Sequence, residues 1–202
     1  YPAGARMMIG AQLVFYMAPA VLLPSLYLEI TRTWPAHAAE VYASVLTTTT
    51  CVAMAAPVPL GLWAERRGER EAYTGVTAVA TLAALLIACA RGSVAAFALG
   101  WALLSVPTSL RGVRAVYFAR NVRPEELSRA GQLASATGLV GSVAGPLLAS
   151  MRFPFTDAAL LAAALHTLCA LGLAAFLPAP PGRGHAVQRA LGAARAGAAS
   201  WP

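Results

Sequence analysis

Six long apolar stretches, separated by short polar connections, constrain this chain more than any other feature of its sequence. Each contains about 20 residues, which is enough for a helix to cross the hydrocarbon core of a bilayer. Backbone groups in lipid must form their hydrogen bonds within the protein, so the stretches predict an all-α membrane protein with six transmembrane helices. The stretches are residues 8–28, 41–63, 74–90, 94–118, 130–150 and 158–177.

The composition agrees with this prediction. Hydrophobic residues make up 58% of the chain and charged residues 11%, with a mean hydropathy of +0.64, whereas soluble domains carry about 25% charged residues. The 15 cationic residues are all arginine and give a net charge of +7. No run of basic residues interleaved with aromatic ones occurs in the sequence. We therefore expect a lipid bilayer and not nucleic acid as the partner, with arginines that fix the topology.

The three cysteines, Cys51, Cys89 and Cys169, each lie inside an apolar stretch and far from one another in the sequence. That spacing predicts neither a disulfide framework nor a metal site. The sequence also contains no nucleotide-binding loop and no catalytic carboxylate pair. We expect the cysteines to be small hydrophobic residues of the core, with no cofactor and no metal.

The arginines are distributed unequally between the two ends of the predicted helices. Ten lie in the amino end, the 63–73 and 119–129 loops and the carboxyl-terminal tail, whereas Arg32, Arg91 and Arg152 lie on the opposite side. Because cytoplasmic loops carry the excess of basic residues, both ends of the chain are predicted to be cytoplasmic. Residues 1–177 form the predicted membrane domain, and the Ala/Gly/Arg-rich tail 178–202 is expected to be disordered. The sequence begins at Tyr1 without a methionine, which predicts a fragment.

A short charged segment separates the second and third apolar stretches. Residues 61–70 read Gly-Leu-Trp-Ala-Glu-Arg-Arg-Gly-Glu-Arg, and we expect both glycines to allow a tight hairpin and close helix contact. The segment resembles the signature between the second and third helices of the major facilitator superfamily of transporters, with Glu65 in place of the family's aspartate. An ordinary positive-inside hairpin is the alternative, which explains the arginines but not the glycine spacing. The resemblance implies a conformational latch made of Gly61, Glu65, Arg66, Gly68 and Arg70.

A second motif lies in the fifth apolar stretch, which contains Gly141-Ser-Val-Ala-Gly145-Pro146. Small residues four apart allow two helix backbones to approach closely, and Pro146 removes one backbone donor. Gly141, Gly145 and Pro146 resemble the fifth-helix motif of the same superfamily. Residues 124–130 resemble the loop that precedes that helix. Generic packing of small residues is the alternative.

The resemblance covers residues 8–177 and corresponds to the amino-terminal half of such a carrier. It implies six helices in two three-helix repeats, and transport of a small solute by alternating access between two halves. The carboxyl-terminal half, or a second copy of this chain, would be the missing partner. Residues 59–70 look like the lysosomal members, and residues 111–146 are similar to the SPX-domain vacuolar phosphate carriers, which implies a vacuole- or lysosome-like membrane. The alternative is a non-transporting or regulatory six-span protein derived from a carrier.

Three ionisable residues lie inside predicted spans and are candidate substrate-binding residues. Arg111 and Arg114 share one helix face, with Arg111 about 13 Å inside a helix that ends near Arg120, and such a pair suits an anionic substrate. The alternative for both is snorkelling to the cytoplasmic interface. His166 lies in the middle of the sixth stretch, where a proton relay and a structural histidine bonded across helices are both open.

An intramembrane serine protease is the enzyme class to consider, since Ser142 and His166 loosely resemble its catalytic pair. Val140 and Val143 stand where the Gly-x-Ser-Gly pattern of these enzymes requires glycine. We therefore expect no catalytic activity.

Overall fold

A computed structural model of the protein describes residues 1–90, 92–151 and 154–178, which form α-helices and short 3₁₀ segments without any strand. The predicted tail from residue 179 onward lies outside the described residues, as do Arg91 and Arg152. The helices are α1 (Ala3–Thr33), α2 (Ala38–Ala55), α3 (Pro57–Arg67), α4 (Glu69–Cys89), α5 (Val94–Ser105), α6 (Arg111–Asn121), α7 (Pro124–Ala149) and α8 (Phe155–Phe176).

The prediction of an all-helical protein is confirmed, and so is that of several helices with the length and composition of membrane spans. Among the described residues, five helical stretches are long and apolar enough to cross a bilayer, with α5 and α6 counted as one stretch. The predicted span 41–63 is not one straight helix, because α2 and α3 meet at an angle of 43° at Pro57. The part of the chain that the structure describes therefore has five candidate spans, or six if the bent pair crosses as one. Large apolar side chains lie on the outer surface, such as Met54, 78% exposed, and Leu28, 68% exposed, as expected for helices that face lipid.

The predicted fourth span, 94–118, is interrupted in the structure. A 3₁₀ segment, Val106–Leu110, separates α5 from α6, because Pro107 has no N–H for the helix ladder and its ring crowds the preceding turn. The buried Tyr73 hydroxyl donates a hydrogen bond to the Leu110 carbonyl oxygen at 3.3 Å. This bond connects the interruption to α4.

The connection between α3 and α4 is a single residue. Gly68 has φ 94° and ψ 156°, a conformation that L-residues with a side chain rarely adopt. Gly61 lies inside α3 instead, and no described atom outside the backbone of its own helix lies within 4 Å of a Cβ built on it. Gly68 therefore forms the turn expected of the hairpin, whereas the expectation of a turn and a close helix contact is wrong for Gly61.

The helices pack around α1 and α4. The long α1 packs most extensively against α7 and also against α8, while α4 packs against α8 and α5, and α2 against α5. An aromatic cluster lies at one end of the bundle. The ring centroid of Phe97 lies 5.5 Å from that of Trp34 and 5.9 Å from that of Phe155. A Glu69–Arg120 ion pair of 2.8 Å joins the α3–α4 turn to the end of α6 at the other end.

Candidate functional site

A cavity of about 330 Å³ lies between α1, α6 and α7, the helices of the first, fourth and fifth apolar stretches. It is the place where the structure brings predicted site residues together, since Arg111 and Arg114 both line it. The lining residues are Gln12 and Tyr16 of α1, Arg111 and Arg114 of α6, and Ala134, Ser135, Gly138, Leu139 and Ser142 of α7.

The two arginines have different surroundings in this cavity. Arg111 is the first residue of α6, after the 3₁₀ segment. Its Nε and Nη2 atoms donate hydrogen bonds to the Tyr16 hydroxyl oxygen, the first at 3.0 Å. Arg114, one turn later, is half-buried and forms no hydrogen bond or ion pair with any described residue. The cavity therefore holds one guanidinium that is hydrogen-bonded to a tyrosine and one that has no partner within residues 1–90, 92–151 and 154–178.

Gln12 adds an uncharged polar group to the wall opposite the arginines' helix. Its side chain is 3% exposed, and it makes no hydrogen bond within the described part of the chain. The hydroxyls of Ser135 and Ser142 donate back to the carbonyl oxygens of Gly131 and Leu139, at 3.0 Å and 2.8 Å. While these bonds persist, the two hydroxyl oxygens can accept hydrogen bonds from a ligand but cannot donate any to it. Available N–H donors are thus supplied by the arginines and the glutamine.

The described lining of this cavity contains no negative charge that would balance its arginines. No aspartate or glutamate of the described residues lines it, so its lining carries the two positive charges of Arg111 and Arg114. Because guanidinium groups do not lose their protons in proteins, the positive charge persists at every physiological pH. The arrangement can bind an anion through charge-assisted hydrogen bonds.

The motif glycines of the fifth apolar stretch lie where α7 crosses α1. A Cβ on Gly141 would lie 2.4 Å from the Leu13 carbonyl oxygen, and a Cβ on Gly145 would lie 2.5 Å from the Ala20 Cβ. Both glycines are therefore needed for the close approach of the two helices. Pro146 follows inside α7 and is exposed. This seam of small residues supports the wall of α7 that lines the cavity.

His166 is not brought together with the arginines. Its ring is 0% exposed and stacks on Phe15, with ring centroids 6.2 Å apart. Neither ring nitrogen has a hydrogen-bond partner in the part of the chain that the structure describes. The predicted hydrogen bond across helices is therefore not made there. No bond joins His166 to Ser142, whose hydroxyl donates to Leu139.

The predicted latch residues lie at the α3–α4 turn, but they do not pair with one another. Glu65 and Arg66 are exposed, Arg70 is half-buried, and none of them forms an ion pair among residues 1–90, 92–151 and 154–178. The cross-helix pair of this region uses Glu69 and Arg120 instead. Gly61, Glu65 and both members of that pair line a cleft of about 220 Å³ between α3 and α6.

Sequence reasoning missed Gln12, Tyr16 and Gly138 as members of the site. A signal was present for Gln12, since it is the one side-chain amide within residues 8–28, and a buried amide in a span needs a partner. Gly138 lies three residues before Gly141 and thus continues the row of small residues that Gly141 and Gly145 form. Tyr16 carries no signal of its own, because an amphipathic aromatic residue is common in a membrane helix.

Among the described residues, no group of three or more His, Cys, Asp or Glu side chains could hold a metal ion. Comparison of the chain with protein-family models, with curated proteins and with solved structures finds no match. The geometry of the cavity is therefore the basis on which a function is proposed.

Proposed function

We propose that the chain is the six-helix half of a carrier of the major facilitator type, and that the cavity between α1, α6 and α7 binds a small anionic solute during alternating access. The observation that carries the proposal is Arg114, a half-buried guanidinium without a partner among the described residues. A second arginine and a buried amide without a hydrogen bond lie in the same cavity. Together they form a binding site for negative charge inside an apolar bundle.

The energetics of burial favour an anionic ligand. An arginine at the centre of a membrane helix costs at least about 2.5 kcal/mol, and this bundle holds two arginines in one cavity without a carboxylate in the described lining. Each hydrogen bond from a charged donor to an anion contributes about 1.5–3 kcal/mol. A volume of about 330 Å³ is at the small end of the range for ligand sites, which favours a small solute.

The pattern of helix contacts supports an arrangement as two three-helix repeats. Spans one to six are α1, the bent α2–α3 pair, α4, the α5–α6 pair, α7 and α8. Span one packs against span five, and span four packs against span two. In the same way, span one packs against span six, and span four packs against span three. Spans three and six also pack against each other. Exchanging spans one to three with spans four to six leaves these five most extensive contacts unchanged, as a repeat would require.

The exposure of Arg111 supports a second half. Arg111 lines the cavity and is an exposed residue of the bundle, and an arginine facing lipid tails is costly. We propose that a carboxyl-terminal half, or a second copy of this chain, covers the cavity so that the solute lies between two halves near the midplane.

The distribution of arginines supports an orientation with both ends in the cytoplasm. Arg66, Arg67, Arg70, Arg120 and Arg123 lie at the end of the bundle that contains the Glu69–Arg120 pair, whereas Arg32 lies at the opposite end. Cytoplasmic connections carry the excess of arginine. A vacuole- or lysosome-like membrane is the location that the resemblance implies.

Uptake into liposomes tests the proposal. The purified chain is reconstituted, alone and with a carboxyl-terminal half, and the uptake of radiolabelled phosphate and sulfate is measured. We expect saturable uptake that falls at least about tenfold in the Arg114→Gln variant, since hydrogen bonds to a charged donor are worth about 1.5–3 kcal/mol. Arg123→Gln is the matched control, because Arg123 is exposed and lies outside the cavity.

The two contrary results have different meanings. Equal uptake by the unsubstituted chain and by Arg114→Gln would contradict the anion site but not transport. If the chain shows no uptake either alone or together with a carboxyl-terminal half, the result would favour a non-transporting or regulatory membrane protein.

A further inference from the structure

The contact between Tyr16 and Arg111 joins α1 to α6 across the cavity. A guanidinium has five N–H groups in a fixed planar fork. Two of its nitrogens, Nε and Nη2, donate to the Tyr16 hydroxyl oxygen, so the side edge of the fork is occupied. The end edge, formed by Nη1 and the second N–H of Nη2, makes no hydrogen bond with any other described residue. Two parallel donors are therefore left for a ligand.

Tyr16 is itself fixed by the helix on its other side. A Cβ on Gly138 would lie 2.9 Å from Cδ2 and 3.0 Å from Cε2 of the Tyr16 ring. The ring thus rests directly on the backbone of α7, and a larger residue at position 138 would displace it. Gly138 holds the ring, and the ring's hydroxyl holds the guanidinium.

The choice of tyrosine has an electrostatic consequence. A carboxylate at this position would orient Arg111 equally well, but it would cancel the positive charge and compete with an anion. A phenol hydroxyl accepts the hydrogen bonds through its oxygen and, unlike a carboxylate, brings no negative charge to the contact. The arginine is therefore oriented without loss of its charge.

We infer that Tyr16 is a positioning residue that presents the Nη1–Nη2 edge of Arg111 to the ligand, and that the cavity consequently selects oxyanions with two adjacent oxygens over spherical halides. This inference rests on the proposed function, because it specifies the solute of the same cavity. Bidentate pairing of a guanidinium fork with two oxygens adds geometric specificity to charge attraction. A halide receives the charge attraction but cannot occupy two parallel donor positions with two atoms.

Nitrate and chloride are suitable probes, since they carry the same charge and differ in geometry. Their dissociation constants are measured by titration calorimetry on the full chain in detergent. We expect the unsubstituted chain to prefer nitrate, and Tyr16→Phe to weaken nitrate binding about tenfold while chloride binding changes much less. Arg111→Lys is expected to lower the nitrate preference in the same way, because an ammonium is a point charge without a fork.

Tyr42→Phe is the matched control. Tyr42 is half-buried on α2, makes no hydrogen bond among the described residues and lies outside the cavity, so its variant should keep both dissociation constants. An unchanged preference for nitrate in Tyr16→Phe, or an equal weakening of both anions, would overturn the positioning role. Binding of neither anion by the unsubstituted chain would contradict the proposed function as well.

Discussion

Gln12 and His166 are both buried polar residues in an apolar bundle, but their polar atoms have different surroundings. Gln12 lines the cavity beside two arginines, so a ligand or water can reach its amide. His166 is packed against Phe15, and both of its ring nitrogens lack hydrogen-bond partners among the described residues. Buried polar atoms without partners cost free energy. The geometry therefore favours a ligand contact for Gln12 and only a packing contact for His166.

Replacing His166 tests this distinction. His166→Leu should raise the free energy of unfolding by about 1–3 kcal/mol, since an apolar side chain of similar size removes two unsatisfied buried nitrogens. Anion binding should be unchanged because His166 does not line the cavity. Unfolding is followed by circular dichroism during titration with SDS, and binding by calorimetry.

His37→Leu is the control, since His37 is exposed and loses only a surface contact with Glu40, which contributes less than about 1 kcal/mol. A loss of stability together with a loss of anion binding in His166→Leu would contradict the packing role.

At the scale of the helices, the crossing of α1 and α7 is decided by small residues of α7. Ala130, Ala134, Gly138, Gly141 and Gly145 are all buried along one side of this helix. Gly141 and Gly145 meet backbone atoms of α1 there. Without a hydrophobic force between helices in lipid, such close packing is what holds two spans together.

Gly141→Ala should therefore weaken the bundle. The added Cβ would lie 2.4 Å from a backbone oxygen, so the helices must separate, and overpacking of this kind costs about 1–3 kcal/mol. Gly131→Ala is the matched control on the same helix, because no described atom outside the helix's own backbone lies within 4 Å of its Cβ position. It should stabilise the helix by up to about 1 kcal/mol. Equal unfolding midpoints for the two variants would contradict the packing role of Gly141.

The breaks in the spans show what an apolar pattern omits. Pro57 and Pro107 stand at the α2–α3 bend and in the 3₁₀ segment, yet α1 runs from Ala3 to Thr33 as one helix with Pro19 and Pro24 inside it. Hydropathy predicted the length of each span from local sequence. Whether a proline interrupts a helix depends on how its neighbours in space satisfy the freed backbone groups. That information lies far away in the sequence.

At the scale of the whole molecule, the connections gather at two ends. The aromatic cluster of Trp34, Phe97 and Phe155 marks one end, and the Glu69–Arg120 pair marks the other. That ion pair is largely exposed at Arg120, with 63% of the side chain accessible, so we expect it to contribute less than about 1 kcal/mol. The bundle is therefore held by apolar packing, and the pair indicates which loops share an end.

Labelling of introduced cysteines tests the orientation of these ends. Ala36 and Ser128 are both exposed, near the aromatic end and the arginine-rich end respectively. In a variant with all three native cysteines changed to alanine, expressed in a bacterial inner membrane, Ala36→Cys should react with an impermeant maleimide in intact cells. Ser128→Cys should react only after the membrane is opened, since arginine-rich connections remain cytoplasmic. The reverse pattern would contradict the proposed topology.

The sequence by itself determined the class of the protein, the approximate positions of its spans, the turn at Gly68 and the unequal arginines of the two ends. These properties depend on the composition and length of continuous segments, which can be read without knowing what lies beside them. Only the tertiary structure decided which polar groups meet. It joined Arg111 to Tyr16, placed Gln12 and Arg114 in the same cavity, and left His166 out of the lining that these four residues share. Helical periodicity assigns residues to a face of one helix, but the neighbour of that face is set by packing between segments that are distant in the chain.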